Sequence, residues 1–165
     1  MNHKTKQFLD LLDCHKRLIY KVVNAYCKDK ALHEDLTQEI ILRLWSSFDH
    51  YDRQYKISTW IYRIALNTAI SFYRKGANES RNSIEFSRHH ENTLISETPS
   101  EGDPKLHLLN QFIQELKEVD KALILLYLDG YSHKEIAEIV GISPTNVGTK
   151  LTRIKKVLRK KINQN

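Results

Sequence analysis

The amino-acid sequence predicts an all-α protein made of two small helical domains joined by a flexible linker, with a helix-turn-helix in the C-terminal domain. Three observations support this. Only five Gly and three Pro occur among 165 residues, and alternating apolar and polar runs are few. A polar, acidic segment divides the chain. Two helix-start signals stand close together near the C-terminus. The expected bounds are 1–75, 76–104 and 105–165.

The first domain is expected to contain about four helices, at roughly 4–28 (split or continuous), 33–48 and 58–74. In the helix at 33–48, one face is apolar and comprises Leu36, Ile40, Ile41, Leu44 and Phe48. Leu42 and Trp45 lie instead on the polar face, beside Asp35, Gln38 and Glu39. Apolar side chains on a polar face favour a protein partner.

The helix at 58–74 has two different faces. Its buried face is expected to comprise Ile61, Ile64, Ala65, Thr68 and Phe72, and its opposite face Trp60, Arg63, Asn67, Ile70 and Arg74. A ring, an amide and cations in one row suit unstacked nucleic-acid bases, because the ring stacks, the amide forms hydrogen bonds and the cations hold the backbone. The alternative is that Trp60 and the nearby Tyr residues are partly buried packing groups.

The segment 76–104 has too few large apolar residues to build a core, so we expect a flexible linker. Residues 1–74 hold 12 basic and 8 acidic side chains, residues 75–104 hold 3 and 6, and residues 105–165 hold 11 and 6. Two basic domains therefore flank an acidic connector, within a formal net charge of +6. Basic domains favour a polyanionic partner such as nucleic acid.

The helix-turn-helix is predicted from capping residues. Ser132 and Glu135 form an S-x-x-E capping box, which begins a helix that should end at Gly141. Ser143 and Pro144 then supply an N-cap and a first helical residue.

The second of these helices should bury Val147, Leu151, Ile154 and Leu158. Its opposite face carries short polar side chains first and cations later, the order expected if the first turns read base edges and the later turns hold phosphates. Seven Lys or Arg and no acidic residue lie between Lys150 and Asn165. The alternative is an ordinary solvated helix end, where cations also suit the helix dipole.

Other chemistries have little support. Cys14 and Cys27 lack metal-ligand spacing and are expected to be reduced, and His33-Glu34 lacks the second His of a zinc motif. We predict no metal, no cofactor and no catalytic residues, hence no enzyme. The chain has no apolar run long enough for a membrane span and no apolar signal segment at its start, so we expect a cytoplasmic protein without membrane insertion.

Three motifs in one order resemble bacterial RNA polymerase sigma factors of the sigma-70 family, specifically the extracytoplasmic-function (ECF) type that keeps only regions 2 and 4. They are Asp35-Leu36-Thr37-Gln38-Glu39, Thr59-Trp60-Ile61-Tyr62-Arg63-Ile64-Ala65-x-Asn67 and the helix-turn-helix. The resemblance implies a factor that binds core RNA polymerase through its β and β′ subunits, recognises promoter DNA and promotes melting. It also allows an anti-sigma factor as a further partner.

The resemblance assigns residues to three surfaces. The polymerase-binding surface would comprise Asp35, Gln38, Glu39, Leu42 and Arg43. The surface for the minus-ten element would comprise Tyr51, Arg53, Tyr55, Lys56, Trp60, Arg63, Asn67 and Arg74. The surface for the minus-thirty-five element would comprise Thr145, Asn146, Thr149, Lys150, Arg153 and Lys156.

Two positions depart from the family pattern: Leu116-Lys117 stands where Leu-Pro is common, and Gly148 where Lys is common. A competing interpretation is a free-standing helix-turn-helix regulator with an N-terminal dimerisation or sensing domain. Such a dimer interface would need apolar residues at Arg63, Asn67 and Arg74, so the polar row favours the sigma factor.

Overall fold

The computed structural model describes residues 3–82 and 103–164. Within these ranges the chain is helical and contains no strand, which confirms the all-α prediction. The elements are α1 (His3–Tyr26), α2 (Lys30–Ser47), a 3-10 turn (Phe48–His50), α3 (Ile57–Asn82), α4 (Pro104–Gln114), α5 (Glu118–Leu128), α6 (His133–Val140) and α7 (Pro144–Asn163). Most of the predicted linker at 76–104 lies outside the described residues.

The N-terminal half is a three-helix unit in which α1 and α2 both pack on α3. Asp29 begins α2 by accepting a hydrogen bond from the Ala31 N–H at 3.0 Å, which satisfies one of the free donors of a helix start. Leu36, Ile40 and Leu44 are fully buried, as the apolar face of α2 predicted. The helix predicted at 58–74 is longer than expected, since α3 continues to Asn82.

The C-terminal half contains the predicted helix-turn-helix. The Ser132 hydroxyl accepts from the Glu135 N–H at 3.2 Å, and the Glu135 carboxylate accepts from the Ser132 N–H at 2.8 Å. Gly141 ends α6 in the left-handed region with a φ of 80°. Ser143 then caps α7 by accepting from the Asn146 N–H at 3.2 Å. Every predicted element of this motif is confirmed.

The two halves pack directly against each other. Buried apolar side chains of α1, α3, α5 and α6 belong to one continuous cluster. Polar contacts border it: the Tyr26 hydroxyl donates to the Glu118 carbonyl at 2.5 Å, and the Gln114 side-chain amide donates to the Asn24 carbonyl at 3.0 Å. The sequence pattern did not predict this contact, which brings α3 against the helix-turn-helix domain.

Candidate nucleic-acid and protein interfaces

The outer face of α2 presents the residues predicted to bind a protein. Leu42 is 62% exposed and lies among polar and charged side chains of α2. Asp35 and Gln38 are also exposed, and Arg43 Nε donates to the Glu39 carboxylate at 2.9 Å. The structure therefore places the five predicted residues along one side of α2.

Trp45 differs from the sequence interpretation, which placed it on this outer face with Leu42. Its ring makes an edge contact with Phe8, with centroids 5.0 Å apart, and the Lys4 ammonium lies 4.7 Å from the ring centroid. Trp45 is 36% exposed, so much of its surface packs against α1. It contributes mainly to packing between α1 and α2.

The loop between α2 and α3 is organised by aromatic rings. The Trp60 ring lies 5.2 Å from Tyr51 and 6.4 Å from Phe48, so Trp60 is half-buried in a cluster. The Tyr51 hydroxyl donates to the Tyr55 carbonyl at 2.6 Å, which closes the loop on itself. Tyr55 is 48% exposed and lies 5.8 Å from the guanidinium of Arg63. These contacts hold an exposed ring and two exposed cations, Arg53 and Lys56.

The polar row of α3 runs beside the C-terminal domain, and its residues Asn67 and Arg74 are exposed. Asn67, Ile70 and Arg74 line one wall of a cleft of about 200 Å³, whose other wall comprises Val119, Ala122, Ile139, Val140 and Ile142. Arg63 is half-buried there and donates through Nη2 to the Glu138 carbonyl at 3.3 Å. Its Nε is buried without a hydrogen-bond partner.

The buried face of α3 is wider than predicted. Ile61, Ala65 and Thr68 are buried as expected, whereas Ile64 and Phe72 are only half-buried. The prediction missed the buried residues Tyr62, Leu66 and Ala69. α3 is covered by the N-terminal helices on one side and by α5 and α6 on another, and a two-faced helical wheel does not anticipate the second contact.

The burial pattern of α7 matches the predicted division of this helix into an apolar face and a polar face. Val147, Leu151, Ile154 and Leu158 are at most 5% exposed. The opposite face is exposed at Thr145, Asn146, Thr149, Arg153 and Lys156, while Lys150 is half-buried. The structure therefore brings all six predicted residues to α7, at a surface with polar groups first and cations later.

Two of these cations already have an acidic partner within the domain. Asp120 of α5 has a buried side chain, and its carboxylate lies 3.3 Å from Arg153 Nη2 and 3.9 Å from Lys150 Nζ. Asp120 was not among the predicted residues, because nothing in its local sequence indicates a contact with α7. Asp120 therefore forms ion pairs with both cations in the N-terminal half of α7.

Gly148 does not lie on the reading face. A methyl group placed on its Cα would come within 3.5 Å of the His133 imidazole, at ordinary van der Waals distance. The absent side chain would therefore point towards α6.

A larger groove of about 990 Å³ separates the two halves on another side, and Glu39 and Arg43 of α2 lie along it. Its wall includes Lys121, whose Nζ lies 5.3 Å from the Tyr26 ring centroid and 5.6 Å from that of Tyr73. Burial lowers the pKa of Lys121. The rings partly replace the water that the ammonium has lost.

In the described parts of the chain, no group of three His, Cys, Asp or Glu side chains is arranged to hold a metal ion. Among the same residues, no helix has the length and hydropathy needed to cross a membrane. The interfaces above consist of cations, carboxylates, amides, hydroxyls, rings and one exposed Leu.

Comparisons with known proteins identify the family. Residues 11–79 match the family described as Sigma-70 region 2, and residues 106–158 match Sigma-70, region 4. The chain is 32% identical to the ECF RNA polymerase sigma factor SigW of Bacillus subtilis, over 94% of this chain and 88% of that protein. The chain is a sigma factor of the ECF type. Its family consists of transcription initiation factors that are not enzymes.

This sigma factor is also 28% identical to the ECF RNA polymerase sigma factor SigM of Bacillus subtilis, over 86% of each chain. Its fold is shared with the sigma factor RpoE of Bartonella quintana, solved in complex with the anti-sigma factor NepR. That match has a TM-score of 0.80 at 18% identity, and covers 96% of this chain and 98% of that one. CnrH, solved with the cytosolic domain of CnrY, has a TM-score of 0.67 over 98% of this chain and 90% of that one.

Proposed function

We propose that this sigma factor binds core RNA polymerase through the outer face of α2 and grips promoter DNA at two points, one on α3 and one on α7. The observation that carries the proposal is the pair of separate polar, cationic helix faces in a chain that contains both sigma regions. A single DNA-reading helix would suffice for a repressor. The row on α3 is a second surface of different composition.

The polymerase surface is assigned to Asp35, Gln38, Glu39, Leu42 and Arg43, with the β and β′ subunits as the partners. Its support is the exposed Leu42 among charged groups, since the centre of a protein interface is commonly apolar with a polar rim. The ion pair between Glu39 and Arg43 would form part of that rim.

The minus-ten surface is assigned to the loop and α3. An exposed Tyr55 ring could stack on an extruded base, while Arg53, Lys56 and Arg74 contact its backbone. Asn67 supplies both a donor and an acceptor for a base edge. Trp60, held by Phe48 and Tyr51, forms the rigid floor of this surface.

The minus-thirty-five surface is assigned to α7. Thr145, Asn146 and Thr149 lie in the first turns, where a recognition helix enters the major groove of duplex DNA. Lys150, Arg153 and Lys156 follow and would hold the phosphates. This surface reads duplex DNA, whereas α3 acts on the opened strand.

An anti-sigma factor is proposed as a further partner. RpoE, which shares this fold, was solved with the anti-sigma factor NepR, and CnrH, which also shares it, was solved with the cytosolic domain of CnrY. The groove between the two halves is large enough to receive a segment of another chain.

The proposal is tested by run-off transcription with core polymerase on a randomised promoter library. Asn67→Ala should impair strand opening, detected by permanganate reactivity of unpaired thymines, because it removes a base contact made only after melting. Arg153→Ala should mainly weaken the closed complex, and Arg159→Ala on the same helix serves as the control. Equal melting defects in Asn67→Ala and Arg153→Ala would contradict the division between the two surfaces.

The competing function, a free-standing duplex-binding regulator, makes the opposite prediction. Tight sequence-specific binding to duplex DNA without polymerase, together with no promoter-specific transcription, would support it. The polar groups at Asn67 and Arg74 disfavour an apolar dimer interface there.

A further inference from the structure

A buried ammonium group faces the larger groove of this sigma factor. Lys121 of α5 is 5% exposed, and its side chain lines the groove of about 990 Å³. Its Nζ lies 5.3 Å from the Tyr26 ring centroid and 5.6 Å from that of Tyr73. Among the described residues, Lys121 forms neither an ion pair nor a side-chain hydrogen bond. The ammonium therefore has two rings beside it but no anionic partner.

The position of Lys121 is unfavourable for the fold alone. Burial and the ammonium of Lys28 lower the pKa of Lys121, against a smaller opposite effect of Glu118. An ammonium that loses water without gaining a carboxylate destabilises the folded chain, and contacts with aromatic rings offset only part of that loss. An anion bound in the groove would supply the missing partner.

The carboxylates along the groove do not fill this role. Each of the three acidic side chains that line it has a different partner: Asp29 accepts from the Ala31 N–H at the start of α2, Glu39 pairs with Arg43, and Glu115 pairs with Lys161. The negative charge of the groove wall is thus already matched by groups other than Lys121.

The unmatched charge along the groove is positive. Lys28 precedes α2, Lys75 lies on α3 and Lys121 on α5, and within the described ranges none of them forms an ion pair. Several ammonium groups that face one space favour a ligand with more than one negative charge. Lysine binds phosphate as a point charge, whereas a planar carboxylate is matched best by the fork of arginine. The set of cations therefore favours a phosphoryl group.

Aromatic and apolar side chains complete the groove wall. Tyr73 is 47% exposed and lies beside Lys121, and Leu32 is 43% exposed. A ligand ring could lie on Tyr73 while its phosphate reaches the lysines. Small-molecule sites commonly have volumes of roughly 300–1,000 Å³ and combine apolar walls with a few polar groups. The groove has this size and composition.

We propose that this groove binds a small organic phosphate, whose phosphoryl group contacts Lys28 and Lys121 and whose ring lies on Tyr73. The site goes beyond the promoter contacts, because it shares no residue with the surfaces assigned to the minus-ten and minus-thirty-five elements. Glu39 and Arg43 of the surface assigned to polymerase also line the groove. A bound ligand would therefore lie beside that surface.

Isothermal titration calorimetry on the full-length protein tests the site, with ADP as the probe and no added metal. ADP combines a planar base with two phosphoryl groups. Adenosine has the base without the phosphates, and inorganic pyrophosphate has the phosphates without the base. ADP should bind more tightly than either of them, because only ADP can contact the lysines and the ring together.

Four variants locate the binding. Lys121→Met keeps a long apolar stem without the charge and should weaken ADP binding about tenfold or more. Lys28→Met should also weaken it, and its exposed position makes a folding defect improbable. Tyr73→Leu should weaken the binding of ADP but not of pyrophosphate. Lys134→Met, at an exposed position of α6 that does not line the groove, is the matched control and should leave ADP binding unchanged.

Thermal unfolding without ligand separates binding from stability. Lys121→Met should keep or raise the melting temperature, because it removes a buried charge that has no partner. A folded Lys121→Met protein that has lost ADP binding would support the site. Unchanged ADP affinity in both Lys28→Met and Lys121→Met would overturn it.

The unmodified protein gives the remaining outcomes. No binding at up to about 1 mM ADP would overturn the site. Adenosine that binds as tightly as ADP would overturn the role of the phosphate, and pyrophosphate that binds as tightly would overturn the ring contact. These measurements use neither polymerase nor promoter DNA, so their failure is distinct from failure of the proposed function.

Discussion

The two glycines of the helix-turn-helix provide a test in which one chemical change has opposite effects. Gly148 lies within α7, where an added methyl group would meet His133 at 3.5 Å. Gly141 ends α6 with a φ of 80°, a backbone conformation that is unfavourable for residues with a Cβ atom. Substitution of each by Ala changes one hydrogen to a methyl group on the same motif.

The expected magnitudes follow from these two environments. Gly148→Ala should raise the free energy of unfolding by about 1 kcal/mol, because Ala loses less backbone entropy in a helix and the contact with His133 is not a clash. Gly141→Ala should lower it by about 1–2 kcal/mol, the cost of a left-handed residue with Cβ. The two variants should therefore differ by roughly 2–3 kcal/mol.

Urea unfolding followed by circular dichroism at 222 nm measures both values, and run-off transcription measures function. Gly148→Ala should leave promoter use within about twofold, because its methyl group points towards α6. A destabilised Gly148→Ala protein would show that the space between Gly148 and His133 cannot hold a methyl group. A stabilised protein that loses minus-thirty-five recognition would place the Gly148 backbone against DNA.

Two further predictions concern single side chains. Leu42→Ala should weaken binding to core polymerase, measured by fluorescence anisotropy, and should change the free energy of unfolding by less than about 0.5 kcal/mol. Leu9→Ala, at another exposed position, is the control for binding. Leu36→Ala, at a fully buried position of α2, should lower the free energy of unfolding by about 2–5 kcal/mol. Equal stability losses at Leu42 and Leu36 would contradict this. Ser132→Ala should cost about 1 kcal/mol in thermal unfolding. The hydrogen bond from the Ser132 N–H lowers the pKa of Glu135. The carboxylate therefore contributes to the stability of the fold at pH values above its pKa in the unfolded chain, and this contribution is lost as the pH falls through its lower pKa in the folded protein. A stability difference between wild type and Glu135→Gln that persists below that range would argue against a contribution from the ionised carboxylate.

The features predicted correctly are those encoded within a few residues. Ser132, Gly141 and the Ser143-Pro144 pair specify the limits of α6 and α7 because their hydrogen bonds and dihedral angles are local. The apolar stripe of α7 was likewise predicted, since its period follows from helix geometry. These local signals were sufficient to locate the surface assigned to duplex DNA.

The contact between the halves could not be predicted in this way. The hydrogen-bonded residues Tyr62 and Asp129 are 67 residues apart, and neither lies in a sequence motif that would predict contact with the other. Asp129 precedes Gly130, whose φ is 83°, so the pair is typical of an ordinary turn. The polar row of α3 was identified from sequence, but its proximity to α5 and α6 required the three-dimensional structure.

The C-terminal end of α3 was predicted incorrectly for a different reason. Gly76 was expected to begin the linker, yet the helix continues to Asn82. Glycine within a helix costs about 1 kcal/mol relative to alanine, which lowers the preference for helix without forbidding it. A weak local preference is therefore a poor guide to where a long helix ends.

The carboxylate of Asp120 restricts the side chains of two cations on α7 before any ligand binds. Arg and Lys side chains each carry about 2 kcal/mol of rotamer entropy, much of which is lost when they bind a phosphate. Because Asp120 already holds Arg153 and Lys150 close to one position, part of that ordering takes place during folding. At a DNA-binding surface, such an acid would favour accurate placement of the two cations over maximal attraction to any DNA.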